Sequence, residues 1–394
     1  MRMIGTTVRG IRTPIIKNGD DLEQIVIDSL LLAAKQENFE FNNRDVLCIT
    51  EAIVGISNEN YASVDDIAKD IKRKLKSETI GIVNPILSRN RFSLILKGIA
   101  RSAKKVIVQL SFPSDEVGNG ILDANKLANS KFDLNSLITE KEYLKHFGNF
   151  THPFTGINMV KFYKKLIEKE GAKAEFILSN NPKDILKYTR NVIACDIHTR
   201  ENTKKVLREN GANVIGLDDI LTRSINSSGY NKLYGLLGSN KSTEEVLKLF
   251  PKNADQLVRN IQKKLKKITG KTIEVMVYGD GAFKDPVGGI WELADPVVAA
   301  AYTPGLKGTP NEIKLKYISD NKYPDLEGEE LLNAIKKEIK TKDKQLKGKM
   351  ASQGTTPRRY IDLIGSLADL TSGSGDKGTP VVYIQGYFDN FSNE

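Results

Sequence analysis

Asp280, Asp285 and Glu292 stand in one short segment that also carries four glycines (Gly279, Gly281, Gly288 and Gly289) and the only tryptophan, Trp291. Carboxylates gathered at the end of a strand are the donor set of a hard divalent cation such as Mg²⁺ or Mn²⁺, which binds through one or two of them together with substrate phosphates. The preceding run, Ile273 to Tyr278, is β-branched and aromatic and predicts a strand. Glycines at its end let the backbone approach a ligand closely. An isolated Asp-Gly more often closes a turn, so it is the clustering of the three acids that points to a metal site. Asp295 is set apart: Asp295-Pro296 before Val297 to Tyr302 is the pattern of a capped helix start.

Two further groups could hold an anion. Thr356, Pro357, Arg358 and Arg359 precede a predicted helix from Tyr360 to Leu370. A polar loop with Gly373, Gly375 and Lys377 follows, then a strand from Val381 to Ile384. Arginines at a helix N-terminus can grip phosphate or carboxylate, and a glycine-rich loop can cradle phosphates with its N–H groups. The same loop reads equally well as a plain helix-to-strand connection. Ser88, Arg89 and Arg91 form the second group, just before a predicted helix from Phe92 to Ala100, where ordinary capping is the competing explanation.

The elements that must position these groups alternate. Asp20 to Gln36 is an amphipathic helix and Asp45 to Thr50 a buried strand; Ser63-Val64-Asp65-Asp66 starts a capped helix; Ile80 to Val83 and Lys105 to Leu110 are strands. Pro113 to Asn149 is polar and weakly periodic, which predicts a connection. Three strands follow, at Ala174 to Leu178, Asn191 to Cys195 and Asn213 to Leu217, with a helix from Thr199 to Gly211. That order predicts a parallel sheet with crossover helices, placing Asp196, His198 and Arg200 at a carboxyl edge where such sheets bind ligands. Glu244 to Phe250 is read as a helix.

Composition narrows the function. With 394 residues, 40% hydrophobic and 27% charged, the chain has the make-up of a globular protein of two or three domains. No apolar run approaches the roughly 20 residues that cross a bilayer, and the start lacks the apolar core of a signal peptide, so a cytoplasmic location and no membrane partner are expected. Cys48 and Cys195 lie inside apolar runs and are read as core residues. The net charge of +10 raises nucleic-acid binding. However, lysines such as Lys263, Lys264, Lys266 and Lys267 recur on the polar face of a helix, and no nucleic-acid partner is expected. Walker A spacing fails at Thr269-Gly270-Lys271-Thr272, because Leu265 stands where the first glycine is needed. No Gly-x-Gly-x-x-Gly follows a strand, which argues against a nicotinamide-dependent oxidoreductase.

Three anchors resemble the family of coenzyme F-420 gamma-glutamyl ligases. They are Asp20-Asp21-Leu22 with Asp45 to Val54, Tyr278-Gly279-Asp280-Gly281-Ala282-Phe283, and Ile361 to Leu370 continuing through Gly378-Thr379-Pro380-Val381-Val382. Together they span roughly the first 110 and last 120 residues. Two departures stand out: Ala52 occupies the place of a lysine in the family's loop, and Lys284-Asp285-Pro286 replaces an arginine-and-tryptophan run.

The resemblance implies a mixed α/β (α+β) fold with a ligase-like core, residues 1–112 and 271–394, and an inserted α/β domain at 113–270. It further implies an amide ligase joining L-glutamate to a carboxylate of a small cofactor-like acceptor, with GTP or ATP as co-substrate, an acyl-phosphate intermediate, and a homodimer. The roles that follow are catalytic for Asp280, Asp285 and Arg358, and metal binding for Asp280, Asp285 and Glu292. Nucleotide or anion binding falls to Ser88, Arg89, Arg91, Gly279, Gly281, Thr356, Arg359, Gly373 and Gly375. A nucleotide- or cofactor-binding regulatory protein without ligase activity is the alternative.

Overall fold

The computed structural model describes residues 3–148, 150–153, 155–279, 296–352, 358–372 and 375–392. Its fold is mixed α/β, as expected, built on a five-stranded, a six-stranded and a three-stranded sheet. The five-stranded sheet runs in the order Thr7–Ile11, Val381–Gln385, Val46–Thr50, Glu274–Tyr278, Ala299–Tyr302. Only Val46–Thr50 and Glu274–Tyr278 are parallel; the other pairs are antiparallel. A parallel pair needs a crossover connection. Here residues 51 to 273 form it, so both other sheets lie within one connection between adjacent strands.

Side chains alternate across this sheet, as the two-residue repeat of a strand requires. Leu47, Ile49, Val275, Val277 and Tyr383 face the helices Leu22–Glu37 and Ala254–Thr269. Val46, Cys48, Met276, Tyr278 and Ile384 face Ile361, Ile364 and Ala368 of the helix Tyr360–Ser372. That helix approaches so closely that a Cβ on Gly365 would sit 2.6 Å from Val298 Cγ1. The helix Leu22–Glu37 starts where Asp21 accepts the Gln24 N–H at 3.1 Å and ends on Asn38 in the left-handed region. Lys263, Lys264, Lys266 and Lys267 are exposed along Ala254–Thr269, the solvated face that the sequence predicts.

The six-stranded sheet is ordered Ile138–Thr139, Lys173–Leu178, Lys105–Leu110, Thr79–Val83, Asn191–Ala194, Asn213–Gly216. All neighbours are parallel except the Ile138–Thr139 edge. The boundary expected at 112–113 falls within this sheet. Thr79–Val83 and Lys105–Leu110 are its central strands, and they pair with strands from the expected insertion. Pro113 to Asn149 is likewise more than a connection: Ile121, Leu122, Tyr143 and Phe147 enter the core of this unit, and Asp115, buried at 7% exposure, accepts the N–H groups of Leu87, Val117 and Asn119.

Two helix expectations are corrected. Val246–Lys248 is a strand, pairing with Asn240–Lys241 and with Tyr61–Ser63 to form the three-stranded sheet. Its apolar run gives no periodicity able to separate helix from strand, and the partner lies far away in sequence. Ala299–Tyr302 is also a strand, antiparallel to Glu274–Tyr278. Alanine favours helix only weakly, and edge pairing plus burial of Ala299 and Ala301 on opposite faces override it.

Candidate functional site

The carboxyl ends of Val46–Thr50 and Glu274–Tyr278 point the same way, since Thr50 registers with Tyr278 in the parallel pair. Beyond them opens a cleft of about 920 Å³, within the size of ligand sites generally. Thr50, Glu51 and Ala52 form its floor where strand passes directly into the helix Glu51–Ser57. Asp369 and Ser372 come from the last turn of Tyr360–Ser372, and Gly375, Gly378 and Thr379 from the loop that follows. Asn240 and Lys248 arrive from the three-stranded sheet. A second cleft of about 980 Å³ shares Thr13, Pro14 and Thr379 and carries Arg9, Arg12 and Lys377.

Glu51 and Lys248 are the buried charges of the main cleft. Glu51 is 6% exposed and Lys248 8%. The lysine Nζ stands 3.4 Å from Glu51 Oε1 and 3.5 Å from Oε2. Tyr278, the last residue of the strand Glu274–Tyr278, is 1% exposed, and burial pushes its phenol well above the ordinary range. Loop geometry at the opposite wall depends on glycine: Gly375 and Gly378 have φ of +81° and +64°, which side chains seldom adopt. Thr379 closes the loop by donating its hydroxyl to the Ser372 carbonyl.

Of the predicted site residues, Gly375 lines this cleft. Gly279 continues the strand that ends beside it, its N–H bonded to the Val298 carbonyl at 2.9 Å. Asp280, Gly281, Asp285, Glu292, Thr356 and Gly373 lie outside the described residues. Arg358 and Arg359 are exposed at the start of Tyr360–Ser372, whereas the cleft takes the other end of that helix, about 18 Å away at 1.5 Å per residue. Arg359 is already engaged, donating to Asp362 Oδ1 and Oδ2 at 2.8 Å each.

Ser88, Arg89 and Arg91 belong to the six-stranded unit. Ser88 Oγ accepts the N–H of Arg91 at 2.9 Å, and the Ser88 N–H donates to the Tyr163 hydroxyl at 2.7 Å, so capping accounts for the serine. Ser88 and Arg91 border a small, mostly apolar pocket of about 30 Å³ between this turn and Cys195. Arg89 is exposed near His152, whose imidazole is held below its ordinary pKa by burial and then by that arginine.

Asp196 and Arg200, expected at a ligand-binding edge, are committed to their own unit. Asp196 is 1% exposed and accepts from Thr199 and Thr203 hydroxyls at 2.5 and 2.8 Å. Burial raises its carboxyl above the usual range, and those two hydrogen bonds pull it back in part. Arg200 Nε pairs with Asp218 at 2.7 Å, and Lys204 with the same carboxylate at 2.9 Å. Cys48 and Cys195 are free and buried.

Sequence reasoning missed Glu51 and Lys248 as a site pair because 197 positions separate them. One signal was available, a lysine inside the apolar run Val246-Leu247-Lys248-Leu249-Phe250. Among the described residues no group of three or more metal-ligating side chains is found, and no helix is long and apolar enough to cross a membrane.

A profile of the F420-0:gamma-glutamyl ligase family matches residues 10–386. No curated protein matches the chain.

Proposed function

Because this chain belongs to the F420-0:gamma-glutamyl ligase family, we propose that it uses GTP or ATP to join L-glutamate to a carboxylate of a small cofactor-like acceptor. The family supports a ligase forming gamma-glutamyl bonds, with glutamate and an F420-type carboxylate as substrates. Nucleotide use and the acyl-phosphate route are our reading. One acceptor carboxylate oxygen attacks the γ-phosphorus while the bond to the bridging oxygen breaks, releasing nucleoside diphosphate. The glutamate amine then attacks the acyl carbon, loses its proton, and inorganic phosphate leaves with the bonding electron pair.

The observation that carries the reading is the cleft. A family match running over residues 10–386 takes in a cavity large enough for such substrates at the carboxyl ends of the parallel strands, walled by Gly375 and Gly378. Backbone N–H groups of that loop are suited to phosphate oxygens. Arg358 and Arg359 stand at the far end of the helix and are not among the residues that line this cleft.

Phosphoryl transfer calls for a divalent ion, which neutralises phosphate charge when bound. Among described residues the cleft offers only Glu51 and Asp369 as carboxylates, and Glu51 faces Lys248. These do not make a metal site by themselves. Our reading therefore keeps Mg²⁺ or Mn²⁺ with Asp280, Asp285 and Glu292, which follow the strand Glu274–Tyr278 in sequence. The chain's task in either step is to hold the acceptor and glutamate against each other and to shield the acyl carbon from water.

A homodimer belongs to the same proposal, and sedimentation at micromolar concentration tests it. The ligase reading is tested by product mass: incubation with Mg²⁺, GTP or ATP, glutamate and a carboxylate acceptor should give a product heavier by one glutamyl residue.

A further inference from the structure

We propose that Lys248 receives an anionic group of a substrate, phosphate or carboxylate, in the cleft, with Glu51 as the counterion that holds it in place. The inference rests on the reading of this cleft as the substrate site. Lys248 lies in the three-stranded sheet, in a segment that the sequence read as a helix and not as part of a site.

An ammonium has three donors and no acceptor. That of Lys248 is on a side chain 10% exposed, and among the described residues its only polar partner is Glu51, at 3.4 and 3.5 Å. A charge-assisted N–H···O bond normally closes to about 2.7–2.9 Å. Burying two charges costs several kcal/mol per ion unless geometry and further hydrogen bonds offset it. This pair is buried without being tight, so the lysine holds donors in reserve, and it does so on the wall of the cleft.

The local fold is built to present it there. Leu247 and Leu249 are fully buried on one side of the strand, which turns Lys248 to the other. Its stem runs across the helix Glu51–Ser57 at Gly55, where a Cβ would stand 3.2 Å from Lys248 Cδ and 3.3 Å from the Leu249 carbonyl oxygen. A Cβ at residue 55 would require the lysine stem or the Leu249 carbonyl to give by about a few tenths of an ångström. An oxyanion entering beside Gly375 and Asn240 would give the Lys248 ammonium a closer acceptor than Glu51, which stands 3.4 Å away.

The two members of the pair predict opposite effects, which a purely structural ion pair would not show. The full chain is titrated calorimetrically with inorganic phosphate, pyrophosphate and L-glutamate, each alone, and the same is done for Lys248→Met and Glu51→Gln. At least one anion should bind the parent. Its affinity should fall about tenfold or more in Lys248→Met, the scale of a hydrogen bond to a charged group, and rise a few-fold in Glu51→Gln, where the ammonium loses its competitor. Binding of pyrophosphate or phosphate identifies a nucleotide subsite; binding of glutamate alone identifies a carboxylate subsite.

The proposal is overturned if none of the three binds the parent, or if Lys248→Met binds as the parent does. Should Lys248→Met fail to fold, Glu51→Gln decides: raised affinity supports the role and unchanged affinity refutes it. Because no acceptor is present, Lys248-dependent binding can stand even where ligation fails. Ligation by a chain whose anion affinity ignores Lys248 would refute this inference alone.

Discussion

Replacing Tyr383 with phenylalanine removes one oxygen atom from the centre of the five-stranded sheet, and its effect follows from the geometry. Tyr383 is fully buried, with its ring stacked on Phe39 at 5.5 Å between centroids, so Phe retains the packing. What it loses is the hydroxyl that donates to Asp45 Oδ2 at 2.6 Å. That oxygen also accepts the Asn42 N–H at 2.7 Å and Gln385 Nε2 at 3.2 Å. Asp45 is 1% exposed, and its carboxylate would be left with two donors instead of three. A hydrogen bond to a buried charged group contributes about 1.5–3 kcal/mol net, against about 0.5–1.5 for a neutral one. Tyr383→Phe should therefore lower unfolding free energy by about 1.5–3 kcal/mol, read from urea midpoints at unchanged slope. In an Asp45→Asn background the same change should cost about 0.5–1.5 kcal/mol. The logic depends on the last strand lying between the first strand and Val46–Thr50. A Tyr383→Phe protein within about 0.5 kcal/mol of the parent, the range of neutral surface changes, would refute it.

Two further outcomes are expected. Asp196 is held above its ordinary pKa by burial, so between the unfolded value of about 3.9 and the raised native value the folded state binds more proton, and stability falls as pH rises through that window. Asp196→Asn should lack this term, and its stability relative to the parent should improve from pH 4 towards neutrality; a difference that does not change with pH contradicts the assignment. Asp280→Asn keeps shape but removes charge, so Mn²⁺ affinity by calorimetry should drop sharply while the circular dichroism stays that of the parent, and unchanged affinity would reduce Asp280 to a turn residue.

What could be read from sequence was whatever is local. The amphipathic helix after Asp20, seen at Leu22–Glu37, the Ser63 cap, and the strands Val46–Thr50 and Val381–Gln385 all follow from short-range patterns that the fold does not oppose. Ala299–Tyr302 and Val246–Lys248 were misread because alanine content and a short apolar run are weak signals beside pairing with a distant strand. The boundary expected at 112 is crossed both by the family match, which runs over residues 10–386, and by the sheet, in which Thr79–Val83 and Lys105–Leu110 pair with Asn191–Ala194 and Lys173–Leu178. Gly375 was legible as part of a glycine loop. Glu51 with Lys248 was not, because the pair exists only once the three-stranded sheet carries residue 248 over Gly55.

The central claim is that the cleft at the ends of the parallel strands is a nucleotide-dependent glutamyl-transfer site. The most direct measurement is mass spectrometry after incubation of the protein with Mg²⁺, GTP or ATP, L-glutamate and a panel of carboxylate acceptors that includes the deazaflavin precursor and folates. One acceptor should gain a single glutamyl residue, with one nucleoside diphosphate released per bond formed. An unchanged panel, with no nucleotide consumed or bound, would contradict it.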